Sequence, residues 1–264
     1  MNTLNNNVKA QALKLLAPEP SNQTLNNVLR WFCKWRSSII AKTWITKQGL
    51  TVYAGPFQGM TFLDRSQEGC HLPKLIGCYE QPIHEDLQRL LKNSYGNILN
   101  IGSAEGYYSV GLAKMAPNTK VVACDTNPKA VDACKQLAAK NHVGNIEYHP
   151  EFTPGDFEKY SNGRTLIVCD IEGGEDDLLD PSKAIELSGM DIIVESHDCF
   201  IPGLTQKLIE RFSTTHAIKL IEDNGTRSLP MMPGWFHKIP NLDQLMCTWE
   251  WRSGPTPWLI MEAK

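Results

Sequence analysis

No two of the eight cysteines form a C-x-x-C pair, which removes the usual thiol-redox and zinc-ribbon patterns. Cys70, His71 and Cys78 fall close together but lack a fourth ligand at zinc spacing, so packing is expected of them. Cys124 and Cys169 sit inside apolar runs, where a cysteine behaves as a small buried hydrophobe, and this usage fits a reducing compartment. No apolar run reaches the length of a transmembrane helix, and residues 2–7 are polar rather than signal-like, so a cytoplasmic protein is expected. A net charge of −3 and the lack of an N/D-P-P-Y/F motif speak against a nucleic-acid substrate. Internal repeats are missing too, and the asparagine-rich first residues are expected to fray.

What remains is an ordinary globular composition, 42% apolar and 21% charged over 264 residues, enough for one α/β domain with an N-terminal extension. The extension, residues 1–49, reads as two helices. One covers 8–17 and stops at Pro18 and Pro20; the other starts at a Ser21 or Asn22 cap and runs to about Lys47. The second helix interleaves Arg30, Lys34, Arg36, Lys42 and Lys47 with Trp31, Trp35 and Trp44, and no acid stands between Arg30 and Lys47. That pattern fits a membrane-surface helix or a dock for an anionic substrate, but a packed helix with its basic face in water is the expected case.

Residues 50–264 carry the α/β pattern. Residues 50–63 alternate like a β-hairpin, and 79–93 read as a helix with Pro82 in its first turn. Apolar strands are expected at 98–101, 121–124, 145–149, 165–170, 191–196, 217–223 and 257–263, with helices at 107–115, 127–143 and about 204–214. Seven strands with crossovers between the early ones predict a doubly wound, Rossmann-like sheet. Residues 224–255 show no strong helical pattern and serve either as a substrate cover or as a packed connection.

The stretch from Ile98 to Asp125 organises this pattern: strand, glycine turn (Gly102-Ser103-Ala104-Glu105-Gly106), helix, strand, acid. The glycines let a ligand approach the backbone, and the following helix points its first N–H groups at it. Asp125, with Thr126 beside it, stands where a ribose diol would be held. A nicotinamide dinucleotide wants G-x-G-x-x-G, and Tyr107 at the third glycine position fits it poorly; no Tyr-x-x-x-Lys dyad is evident either. The loop resembles instead the acid-x-G-x-G-x-G pattern of class I methyltransferases, which bind S-adenosylmethionine (SAM). Asn100 replaces the acid and Ala104 the middle glycine.

Ligands of open α/β sheets bind beyond the carboxyl ends of the strands. This chain loads that rim with Asp170, Glu172, Glu195, His197 and Asp198, while Asp176 and Asp177 read as helix caps. D-I-E-G-G-E, residues 170–175, resembles the D-x-E-G-x-E motif of the FkbM-type SAM-dependent methyltransferases. Residues 100–109, GPFQGM (55–60), GCYEQPI (77–83) and VESHD (194–198) fall in that family's order. The resemblance covers residues 50–263. It implies a class I methyltransferase fold with the last strand antiparallel, SAM as cofactor, Glu80 near it, and methylation of a hydroxyl on a sugar, glycan or secondary metabolite.

The expected cofactor residues are therefore Glu80, Asn100, Gly102, Ser103, Ala104, Gly106, Asp125, Thr126 and Asp170. His197 is the expected base, with Asp170 and Glu172 beside it. Asp170 either orients His197 or joins Glu195 and Asp198 around a divalent cation such as Mg2+, and a cation-free site stays open. Two other readings stand next to an O-methyltransferase: a degenerate SAM-binding module that recruits a partner through its arm, and a nicotinamide-dependent oxidoreductase. A homo-oligomer is compatible with either.

Overall fold

A computed structural model of the chain describes residues 2–16, 19–67, 69–252 and 254–264. In order, the chain forms α1 (Asn2–Leu16), α2 (Asn22–Gln48), α3 (His71–Ile76), α4 (His84–Leu90), β1 (Asn97–Ile101) and α5 (Tyr107–Met115). There follow β2 (Lys120–Cys124), α6 (Pro128–Lys140), β3 (Ile146–His149), β4 (Thr165–Cys169), α7 (Glu175–Leu178) and β5 (Asp191–Glu195). The last elements are α8 (Leu204–Phe212), β6 (His216–Ile221), α9 (Asn241–Met246) and β7 (Trp258–Ala263).

The seven strands form one sheet in the order β3-β2-β1-β4-β5-β7-β6. Strands β1 to β5 pair in parallel, and β7 runs antiparallel between β5 and β6. This is the expected doubly wound fold of class I methyltransferases, last strand included. The chain leaves β1 toward β2 and β3, then returns to place β4 on the other side. The switch point, and hence the ligand crevice, lies beyond Ile101 and Cys169.

The strands read as continuous apolar runs because both faces are covered. Ile98, Val121, Val168 and Ile260 pack against the layer of α5, α6 and the N-terminal helices. Leu99, Val122, Ile167 and Leu259 pack with Phe157, Leu208 and Phe212 on the other. Ile40, Ala41 and Trp44 bring the second half of α2 into the first layer, where Trp44 is fully buried against Tyr53 and Trp235.

Ser21 caps α2 through the Thr24 N–H, as expected. Ala17 and Pro18, where the sequence stops the first helix, lie outside the described residues, and the asparagines at its start are helical. The hairpin expected at 50–63 is reduced to one bridge, Thr51 to Thr61. The Tyr53 N–H donates to the Leu75 carbonyl, so this segment packs on α3 rather than on a partner strand. Residues 79–93 divide into a 3-10 turn, Gln81–Ile83, and the shorter α4. No described helix is long and apolar enough to cross a membrane.

Candidate functional site

The turn after β1 is held by its own backbone. The N–H groups of Gly102 and Ser103 both donate to the Cys124 carbonyl (2.9 Å each), so β1's exit is tied to β2. Gly102 has φ +84, and a Cβ there would overlap the Asp170 carbonyl, so only glycine lets the turn lie on the end of β4. Ala104, where the family pattern has glycine, also takes a left-handed conformation (φ +46). Its N–H donates to Asp125 Oδ2 (2.8 Å), and the Asn127 N–H donates to Asp125 Oδ1 (2.8 Å). Asp125 thus fixes the loop while bordering the cavity beside it. Asn100, buried, accepts from Ser109 Oγ (2.6 Å) and anchors α5 to β1 instead of facing solvent.

A cavity of about 430 Å³ opens beyond β1, β2 and β4, bounded by Gly102, Asp125, Thr126, Asn127, Phe152, Ile171 and Glu172. Phe152 lines this cavity with Asp125 while its ring packs on Phe157 and Tyr160, and its loop has no periodicity that would mark it in the sequence. Next to this cavity lies a narrow polar one under Gly102, Ser103 and Ala104. Four buried atoms on its wall have no hydrogen-bond partner among the described residues: Ser103 Oγ, Tyr107 OH, Asp170 Oδ1 and Trp258 Nε1. Buried polar atoms are rarely left so, and their convergence marks a place for a polar ligand. Lys74 Nζ also lines it, paired with buried Glu105 at 2.7 Å. Glu80 lies on the same wall, at φ +53, and accepts from Tyr108 OH (2.5 Å). A nucleoside fits the larger cavity, whereas the smaller, about 20 Å³, has room for a single small polar group. Tyr107, packed between Phe57, Phe62 and Tyr79, fills the third glycine position with a side chain.

A third cavity, about 220 Å³, adjoins the first through Asp170 and Glu172 and is otherwise walled by His197, Tyr79, Phe200, Glu195, Trp251, Arg252 and Lys34. His197 is buried, with its ring over Phe200. Its Nδ1 lies 3.0 Å from Glu175 Oε1, while Nε2 faces Asp170 Oδ1 (3.5 Å) and Glu172 Oε2 (3.9 Å). Glu175 is fully buried and already accepts the N–H groups of Ile171 (2.9 Å) and Gly173 (2.8 Å), so it acts as an acceptor and Nδ1 donates. Nε2 is then the lone-pair nitrogen. Burial pulls the imidazole pKa down, but the Glu175 hydrogen bond and the charges of Asp170, Glu175 and Glu172 outweigh it, leaving the pKa raised. Burial and the nearby Glu80 push the Asp170 carboxyl up to about 7.

Of the expected base and its neighbours, His197 and Asp170 are brought together, whereas Glu172 stands on the rim with 75% of its side chain exposed. Of the expected cation set, Asp170 and Glu195 come together and Asp198 does not. Asp198 accepts from the Gly203 N–H and from Thr205, closing the start of α8, and lies outside both carboxylate groups that come close enough for one ion. Glu195 does approach Asp170 and Glu80, but Arg252 is bonded to Glu195 and sits 3.7 Å from Glu80. In the other group, Glu175 is committed to two N–H groups and His197. A guanidinium and backbone donors already neutralise these carboxylates, so the residues fit Mg2+ poorly. Asp176, in the first turn of α7, pairs with Lys207 and Arg211 of α8, as a structural acid does.

The segment between β6 and β7 both packs and covers. Trp235 packs on Trp44, while Glu250, Trp251 and Arg252 wall the third cavity. Arg227, almost wholly buried, fastens it between Asp223 (2.7 Å) and Glu250 (2.6 Å). Cys70 donates to the Glu250 carbonyl and His71 Nε2 bonds the Leu63 carbonyl, so both side chains serve packing.

Residues 92–217, just under half the chain, match the sequence family described as "Methyltransferase domain". The match is to a methyltransferase domain, and the sheet has the strand order of the class I methyltransferase fold. Comparison with curated proteins gives no match. Among solved structures, the chain is similar to a ribosomal protein L11 methylase of Lactobacillus delbrueckii subsp. bulgaricus at 16% identity, over 70% of this chain and 78% of that one, TM-score 0.46. It is similar to an rRNA methylase of Streptococcus thermophilus at 14% identity, over 69% and 97%, TM-score 0.45. A SAM-dependent O-methyltransferase of Thermotoga maritima aligns at 9% identity, over 70% and 65%, TM-score 0.43. Their substrates differ, and at these scores they bear on no substrate here.

Proposed function

We propose that the protein is an O-methyltransferase of the FkbM type that methylates a hydroxyl of a sugar, glycan or secondary metabolite, with His197 as the base. The observation that carries this reading is the meeting of two cavities at Asp170, with the lone-pair nitrogen of a buried histidine on the second one. Gly102, Ser103, Ala104, Glu80, Asp125, Thr126 and Phe152 would hold SAM, whose sulfonium methyl is the electrophile.

A hydroxyl must lose its proton as it attacks. His197, on the wall of the acceptor cavity, takes that proton at Nε2, while Glu175 fixes the ring and its tautomer and stabilises the imidazolium that forms. Asp170, 3.5 Å from Nε2, adds to that stabilisation. Tyr79, Phe200 and Trp251 exclude water and hold the acceptor in line, where much of the rate advantage arises.

The test is calorimetric titration with SAM, S-adenosylhomocysteine and NAD, with and without magnesium, followed by methyl transfer to a panel of hydroxylated sugars and metabolites. Binding of the first two alone, unaffected by magnesium, and transfer to an oxygen are expected. Binding of NAD overturns the cofactor. Transfer only to carbon, nitrogen or RNA overturns the acceptor.

A further inference from the structure

Charge is unevenly divided along this chain. Residues 1–48 hold seven Lys or Arg and a single acid, Glu19, whereas the remainder holds nineteen basic and twenty-eight acidic residues. Some of the basic side chains turn inward: Arg30 donates to the Trp251 and Arg252 carbonyls, Lys34 lies over the Trp251 ring, and Arg36 pairs with Asp243. Lys9, Lys14 and Lys42 are exposed and join no ion pair among the described residues.

The same hairpin shows an apolar stripe on its outer side. Trp35 Nε1 reaches Asn5, so α1 folds back along α2. Leu25, Leu29 and Phe32 fall within about 60° of one another around α2, and they are 47%, 59% and 39% exposed. Leu13, 59% exposed, stands across from Phe32 on an apolar groove of about 420 Å³ that also includes Lys9. Further along α2, Ile40, Ala41 and Trp44 turn into the domain and are buried there.

We propose that the outer face of the α1–α2 hairpin docks on an anionic lipid surface, the leucines and Phe32 entering the headgroup boundary and the lysines meeting the lipid charge. Large apolar side chains beside lysines, on helices that do not span a membrane, are the composition of an interfacial anchor. A second copy of the chain is a poor occupant, because a two-fold contact would set this cationic patch against itself. Anionic lipid removes that repulsion and supplies the opposite charge.

The experiment is co-sedimentation of the full chain with vesicles of phosphatidylcholine alone or mixed with phosphatidylglycerol, with light scattering of the free protein. Pelleting with the anionic vesicles only, weakened by added salt, is expected. Lys9→Gln and Lys14→Gln should each lower the partition coefficient about fivefold, and Leu29→Ser with Phe32→Ser should lower it further while circular dichroism stays unchanged. If the serine variant unfolds, the lysine variants decide. No pelleting, equal pelleting with both vesicles, or unchanged pelleting in the lysine variants overturns the proposal, as does a stable dimer that the serine pair dissolves.

Discussion

His197 is a candidate base because of the residue behind it. Glu175 leaves Nδ1 protonated and Nε2 open, so the histidine is committed to one tautomer before any ligand arrives. His197→Ala is therefore expected to lower kcat at least about 100-fold, with SAM affinity by calorimetry nearly unchanged; full turnover would remove His197 from the chemistry. Against burial, the Glu175 hydrogen bond and, after it, the Asp170 charge raise the imidazole pKa, so kcat/KM should climb with pH through a limb above 6.5. Asp170→Asn removes that charge, and the limb should move to lower pH; a limb that stays put means another group titrates. The same variant has a stability signature. The carboxyl pKa is raised from 3.8 to about 7 in the fold, so its proton favours folding at low pH and that contribution is lost as pH rises toward 7. Asp170→Asn should therefore raise the melting temperature above neutral pH, and little at pH below the ordinary carboxylate range.

At the scale of elements, the strands were legible because burial on both faces writes them as unbroken apolar runs, and the glycine turn because its residues are adjacent. Short and irregular pieces were not. Alternation at 50–63 resembles a hairpin, yet Tyr53 spends its N–H on Leu75, a contact between segments that periodicity cannot show. The six residues of α3 are too few for a helical period. Asp198 carried the right residue type at the right rim, but its hydrogen bonds to α8 are set by the path of the following turn. Phe152, Lys74 and Arg252 reach the cavities from three separate stretches, so nothing in the local pattern singles them out; Glu175 closes the D-I-E-G-G-E motif, but its bond to His197 joins two stretches and is not written in either. The strap from Asn224 to Pro257 depends on Arg227, a cation 1% exposed between two carboxylates. Arg227→Met leaves both acids to the longer ion pairs with Arg252, 3.3 Å each, and should cost about 3 kcal/mol in denaturant unfolding; a loss under about 1 kcal/mol would mean that apolar packing and Arg252 hold the strap.

At the scale of the whole molecule, the fold sets two adjoining cavities at one edge of the sheet, where the proposed transfer would bring its two halves together. The nucleoside-sized cavity lies over β1 and β2, and the acceptor cavity lies over β4 and β5 under the strap and α2. The two have only Asp170 and Glu172 in common. That thin partition has a kinetic meaning. With so little wall shared, neither ligand of the proposed reaction need wait for the other to come or go. Steady-state rates should follow a random-order scheme, in which S-adenosylhomocysteine competes with SAM but not with a saturating acceptor. An ordered pattern, with one substrate locked behind the other, would mean that the strap closes over both doors at once.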